Sequence, residues 1–254
     1  MMENWRRRVL AHGAPVTVTF IVLFVVGSLA FWLSGGRGIE ALAVDPDALS
    51  RPWTLVTFPF AYIGVGGFFE LIFFLLMLAW LYYAGGSVER EIGSGAFALV
   101  WVGFCLLFSA LIVAAMAAMG AQTVVAGPLL PVSAVTVIWA ARNPAMRINL
   151  YGLIPLSAKI LALLVALGVL FQYGFGNPLL GVVAALPLVG AWLYGSDRIP
   201  FLPYRREVAK VDKKRRQREE QYLQEVVQRE RERVERDRLR DLFERSGIRD
   251  EPRD

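Results

Sequence analysis

The sequence predicts an all-α membrane protein, a bundle of six transmembrane helices followed by a long charged helix on the cytoplasmic side. Three observations predict it. The 254 residues are 56% hydrophobic, too oily for an ordinary soluble domain. Six apolar stretches approach the roughly 20 residues that a helix needs to cross the hydrocarbon. From Arg205 to Ser246 the chain carries neither Gly nor Pro and is dense in Arg and Glu. The implied divisions are a lead-in at 1–14, a membrane domain at 15–195 and a charged helical tail at 196–254.

The first stretch, about 15–34, reads "PVTVTFIVLFVVGSLAFWLS" after "WRRR". It resembles a signal sequence, but its bulky end lacks a small-x-small cleavage site, so a retained anchor is expected. A mixed loop, about 35–61, follows. Its aromatics Trp53, Phe58 and Phe60 suit the membrane interface or a partly embedded segment. The second and third stretches run over about 62–84 and 96–119, and the fifth over about 155–173. The fourth and sixth, about 124–141 and 177–195, are short and carry Pro and Gly, which suits helices packed inside a bundle. The single cysteine, Cys105, lies in an apolar run without a partner, so neither a disulfide nor a thiolate metal site is expected. No cofactor and no metal are implied.

Basic residues near span ends stay on the cytoplasmic side. Arg6, Arg7, Arg8, Arg90, Arg142, Arg147, Lys159 and the tail fall on one side, against Arg37 and Arg51 on the other. Both termini are then cytoplasmic, in a multi-pass protein expected in a bacterial plasma membrane. In the tail, Glu225–Arg229 and Glu232–Arg236 place an acid four residues before a base, as a stable helix favours. Val208, Val211, Leu223, Val226, Val227, Val234, Leu239 and Leu242 form an apolar stripe that no sustained heptad organises. A cytoplasmic partner and self-association through 205–245 both stay open. The run "VDKKRRQR" suits either anionic headgroups or a solvated helix face. Nucleic acid is a poorer match, because acids nearly balance the tail's bases.

The stretch "WTLVTFPFAYIGVGGFFELIFFLLMLAWLYYAGGSVEREIGSGAF" adds a motif. Trp53, Gly85, Glu89, Gly93 and Ser94 stand at positions similar to those of the rhomboid superfamily, which shows Trp-Arg, then Gly-x-x-x-Glu and Gly-Ser around its second span. Thr54 departs from that pattern. "WAARNPAMRINLYGLIPLSAK" looks derlin-like as well as rhomboid-like, and the resemblance covers about 50–195. The tail lies outside it, although "LFERSGI" is similar to an element of some bacterial rhomboid-like tails.

The resemblance implies a catalytically inactive member, a pseudoprotease. Rhomboid proteases use a serine in Gly-x-Ser-Gly at the start of the fourth span and a histidine on the sixth. Here that frame falls on Gly127-Pro128-Leu129-Leu130, so Leu129 stands for the serine. On the sixth stretch Pro178 stands for the histidine. Gly181 and Ala185 keep the small residues that would press that helix against the fourth. Glu70 and Phe74 replace the histidine and asparagine of the oxyanion site, and neither stabilises a developing negative charge. The only histidine is His12, in the lead-in, far from any such site.

An alternative hydrolase would use Ser133, one turn beyond Leu129, with Lys159 as base. The geometry expected of the spans separates the two by more than about ten ångströms. Ser133 is instead expected to bond a carbonyl of its own helix. Glu70 is the ionisable residue at membrane depth, either a contact for a client or a proton-linked switch, with Arg51 as its partner, or an interfacial carboxylate. The function the resemblance implies is binding of transmembrane clients or partner membrane proteins without cleavage, in a chaperone, adaptor or quality-control role. Short spans that thin the surrounding lipid would assist it. A small transporter is the third alternative, thinly supported by one intramembrane charge.

Overall fold

The computed structural model describes residues 13–62, 67–150, 154–198 and 204–245. It forms two compact units, 1–208 and 209–254. The first holds six apolar helices: α1 (Pro15–Leu33), α2 (Phe68–Ile92), α3 (Ser94–Met119), α4 (Leu129–Arg142), α5 (Ala158–Gly174) and α6 (Pro178–Gly195). The tail helix α7 spans Tyr204–Arg245. Four of the apolar helices, α1, α2, α3 and α6, are long and apolar enough to cross a membrane. Their outward side chains are large hydrophobes, with Leu99 76% and Phe69 74% exposed. Such a surface is stable against hydrocarbon rather than water. The chain is a helical membrane protein.

Six stretches of spanning length were expected, and two fall short. Helix α4 has 14 residues and α5 has 17, or about 21 and 26 Å of axial rise, against roughly 30 Å of hydrocarbon. The reason for α4 is visible in its packing. Every residue from Leu130 to Ala140 is buried, with α2, α3, α5 and α6 around it. A helix sheathed in protein need not match the lipid thickness.

Two boundaries also move. The second span was expected at 62–84. The helix instead starts at Phe68 and continues through Gly85 and Gly86 to Ile92. The turn falls on Gly93, whose φ of +88° suits glycine. The fourth was expected from 124, but its approach is extended. There Val125 exchanges two backbone hydrogen bonds with Val44 of the first loop, at 2.8 and 2.9 Å.

The loop before α2 was expected either at the interface or partly embedded, and two of its aromatics pack into the bundle. Phe58 is buried, and the Phe60 ring lies 5.1 Å from that of Phe24 and 6.2 Å from that of Phe20. Gly27 admits it, since a Cβ there would sit 2.5 Å from the Phe60 carbonyl oxygen. Trp53 remains half-exposed, donating its indole N–H to the Ala41 carbonyl at 2.9 Å.

One hairpin qualifies the all-α expectation. Strands β1 (Arg147–Leu150) and β2 (Ile154–Ser157) pair antiparallel between α4 and α5, with Ile148 opposite Leu156. The alternation of Arg147, Ile148, Asn149 and Leu150 has the period of two that a strand requires, and Ile148 packs on the core.

Candidate functional site

Helices α2 and α5 both pack on α4 and scarcely touch each other. The separation leaves a groove of about 720 Å³. Its walls are Met77, Trp80 and Tyr83 from α2, and Leu161, Val165, Gly168 and Gln172 from α5. Leu129, Ser133 and Thr136 of α4 form its floor.

Local sequence explains why the floor is firm. Gly127, at φ +96°, turns the chain into α4 and donates its N–H to the Phe58 carbonyl at 2.9 Å. A Cβ at that position would also lie 3.0 Å from the Tyr62 ring. One turn into the groove, Trp80 donates its indole N–H to Thr136 Oγ1 at 2.8 Å, and the Thr136 hydroxyl donates to the Val132 carbonyl at 2.7 Å. Trp80, Tyr83 and Trp139 pack with ring centroids 5.5 to 5.7 Å apart and lock α2 to α4. The wall formed by α5 has no such lock. A Cβ at Gly168 meets nothing within 4 Å.

Among the described residues, those lining the groove include no carboxylate, imidazole, amine or thiol. Ser133 is buried in its floor. The back-bond to a helical carbonyl expected of Ser133 is made by Thr136. Lys159 lines a different cavity, of about 420 Å³, shared by α4, α5 and α6.

Of the four positions that the resemblance set against catalytic groups, only Leu129 reaches the groove. Phe74 is buried and stacks on Tyr62, 5.2 Å between centroids. Pro178 is exposed as the first residue of α6, where Asn177 caps the helix by accepting from the Leu179 N–H at 3.1 Å. Glu70 is exposed in the first turn of α2, where a carboxylate complements the helix dipole. The proposed pairing of Arg51 with Glu70 is replaced by a local one. Arg51 donates to the Asp45 carboxylate and the Glu40 carbonyl, both in its own loop and much closer along the chain. His12 and the arginines at 6–8 lie outside the described residues, as does the "SGI" of the tail element.

Tyr62 was missed by sequence reasoning. It joins Phe74 to the Gly127 turn, above the start of α4. Burial first, and the nearby Glu70 charge second, push its phenol above the ordinary value, so it stays neutral in this loop. The missable signal was a lone aromatic ahead of a glycine-rich run.

At the other end of α2 the motif residues acquire a clear role. Glu89 is fully buried and accepts from the Val16 N–H at 2.9 Å and the Thr17 N–H at 2.7 Å. These are free donors of the first turn of α1, which has no side-chain cap of its own. Gly85 allows the approach, since a Cβ there would lie 3.3 Å from Thr17 Cγ2. Two residues on, Glu91 accepts from Arg142 at the end of α4, at 2.9 and 3.1 Å. Gly93 forms the turn into α3, and Ser94 is its first residue.

Gly181 and Ala185 were expected to press α6 against α4. Gly181 instead faces α5, where an added Cβ would meet the Leu170 carbonyl oxygen at 2.3 Å and Gly174 Cα at 2.7 Å, while Ala185 lines the cavity shared by α4, α5 and α6. The small residue that brings α6 onto α4 is Gly195, where a Cβ would lie 2.7 Å from the Ile138 carbonyl. Its signal is the spacing of Ala184, Ala191 and Gly195, which lie along one helix face and are all buried.

The sequence matches no model of a protein family, and no curated protein is significantly similar to it.

Proposed function

We propose that the chain is a rhomboid-like pseudoprotease, six-spanning with both termini cytoplasmic, that holds the transmembrane helix of another membrane protein in the α2–α5 groove without cutting it. The observation that carries this reading is the groove itself, walled by two helices that pack on α4 and scarcely touch each other. Its apolar walls suit a helix, and Gln172, Tyr83 and Ser133 offer the few polar contacts by which helices recognise one another in lipid. The buried α4 supports six crossings, because a helix that touches only protein is free to be short. Ser133 lacks a base in the groove, and a serine hydroxyl without one is a weak nucleophile.

The test is site-specific photo-crosslinking in native membranes. A photoreactive residue at Val165 is expected to yield adducts with intact membrane proteins, whereas one at Leu99, on the opposite lipid-facing surface of α3, is not. Equal yields at both positions contradict the reading. The rival hydrolase makes a different prediction, labelling by a fluorophosphonate probe that Ser133→Ala abolishes. The expected result is no labelling of either form.

A further inference from the structure

The tail helix divides by charge. Positions 205–218 hold eight basic residues against two acids, while 219–245 hold seven against nine. The basic end starts only ten residues beyond Gly195, the last residue of α6. Within α7 three lysines of the basic end fall on one face, while Arg216 falls on the other. Lys210, Lys213 and Lys214 recur at spacings of three and four, so they share one side of the helix. Gln217, Gln221 and Gln224 continue the same row. Every one of these six side chains is exposed. Asp212 and Glu219 lie on the other side of the helix, with Leu223, Val226 and Val227. Lys213 and Lys214 enter no ion pair among the described residues, although acids stand nearby in sequence. The distal part has no comparable row, because Glu232 and Glu235 fall on that side.

We propose that this lysine–glutamine face lies on the anionic headgroups of the membrane that holds the bundle, and so fixes the proximal part of α7 along the lipid surface. Charge complementarity selects the occupant. A cluster of basic residues just past a membrane span is drawn to anionic lipid, and each charge contributes severalfold. The face carries no apolar side chain that would insert into the hydrocarbon, so the attraction is electrostatic and is screened by salt. Glutamine neighbours add hydrogen-bonding capacity toward phosphate oxygens without adding repulsion. A polynucleotide is the poorer fit, because the helix turns acidic beyond residue 219 and would repel a long polyanion.

The experiment uses the full chain in lipid nanodiscs, with Cys105→Ala and a fluorophore on Gln224→Cys, and headgroup-labelled lipid as energy acceptor. Transfer is expected to be high in discs with phosphatidylglycerol, low in pure phosphatidylcholine, and to fall to the phosphatidylcholine level in molar salt. Replacing Lys210, Lys213 and Lys214 by Gln should lower the docked-to-undocked ratio about a hundredfold, at about fivefold per charge. The matching change at Arg229, Arg231 and Arg233 should leave it within about twofold. Circular dichroism of both variants checks that α7 is still helical. Transfer independent of phosphatidylglycerol overturns the proposal. So does a duplex oligonucleotide that binds the tail in neutral discs and strips it from anionic ones, which would assign the face to nucleic acid.

Discussion

The two halves of α2 differ more than its uniform apolarity suggests. From Ala84 to Ile92 the helix buries Ala84, Gly85, Gly86, Val88, Glu89 and Ile92 and binds two neighbours, α1 through Glu89 and α4 through Glu91. From Phe68 to Leu75 it exposes Phe68, Phe69, Glu70, Leu71, Phe73 and Leu75, and beyond them it becomes one wall of an open groove. One end therefore serves as an anchor and the other as a free edge. Between them the groove wall is tied to α4 through Trp80 and Tyr83, so the proposed client would meet a helix already held in the bundle.

Breaking the anchor should have the largest effect. Glu89→Ala removes two charge-assisted hydrogen bonds and strands two buried N–H groups, a loss of about 3 kcal/mol. It would be read as an early transition in thermal unfolding of the purified protein in micelles. Glu89→Gln should retain part of that stability, because its amide oxygen accepts one of the two bonds. Gly85→Ala, which forces Thr17 and Leu81 outward, is expected to cost about 1–2 kcal/mol in the same assay.

Changes at the groove should be milder. Thr136→Val leaves the Trp80 indole N–H without its acceptor, and about 1 kcal/mol is expected. Arg142→Ala opens the half-exposed pair with Glu91 and should cost under about 1 kcal/mol. If Arg142→Ala proved as damaging as Glu89→Ala, the contrast between a buried cap and a solvent-screened bridge would fail.

The sequence showed the long apolar runs well, because hydrophobicity over twenty residues dominates any local signal. Helices α1, α3 and α6 fall within two residues of their expected bounds. It showed α2 poorly at its end, where apolarity stops at residue 84, before Gly85, Gly86 and a charged run that the helix includes. Tertiary contact carries the helix further, since those glycines are the surface on which α1 rests. The start of α4 was misplaced for the same kind of reason. The Val125–Val44 pairing joins segments eighty residues apart, and no periodicity announces it. The partner of Gly181 was also beyond reach, because a small residue shows that something approaches without showing what. At the candidate site, Leu129 and Ser133 were placed within a short fourth stretch whose Pro and Gly suit a packed helix, although its start was set five residues early. Tyr62 and the Trp80–Thr136 bond could not be placed, because each depends on which helices become neighbours.

Gly168→Trp tests the central claim most directly. It adds an indole in open space on the α5 wall, where the packing around it is undisturbed. Thermal unfolding should change little, while crosslinking from Val165 to membrane proteins should fall at least tenfold, because the groove is filled. Undiminished crosslinking in a stably folded Gly168→Trp protein would show that the partner binds elsewhere.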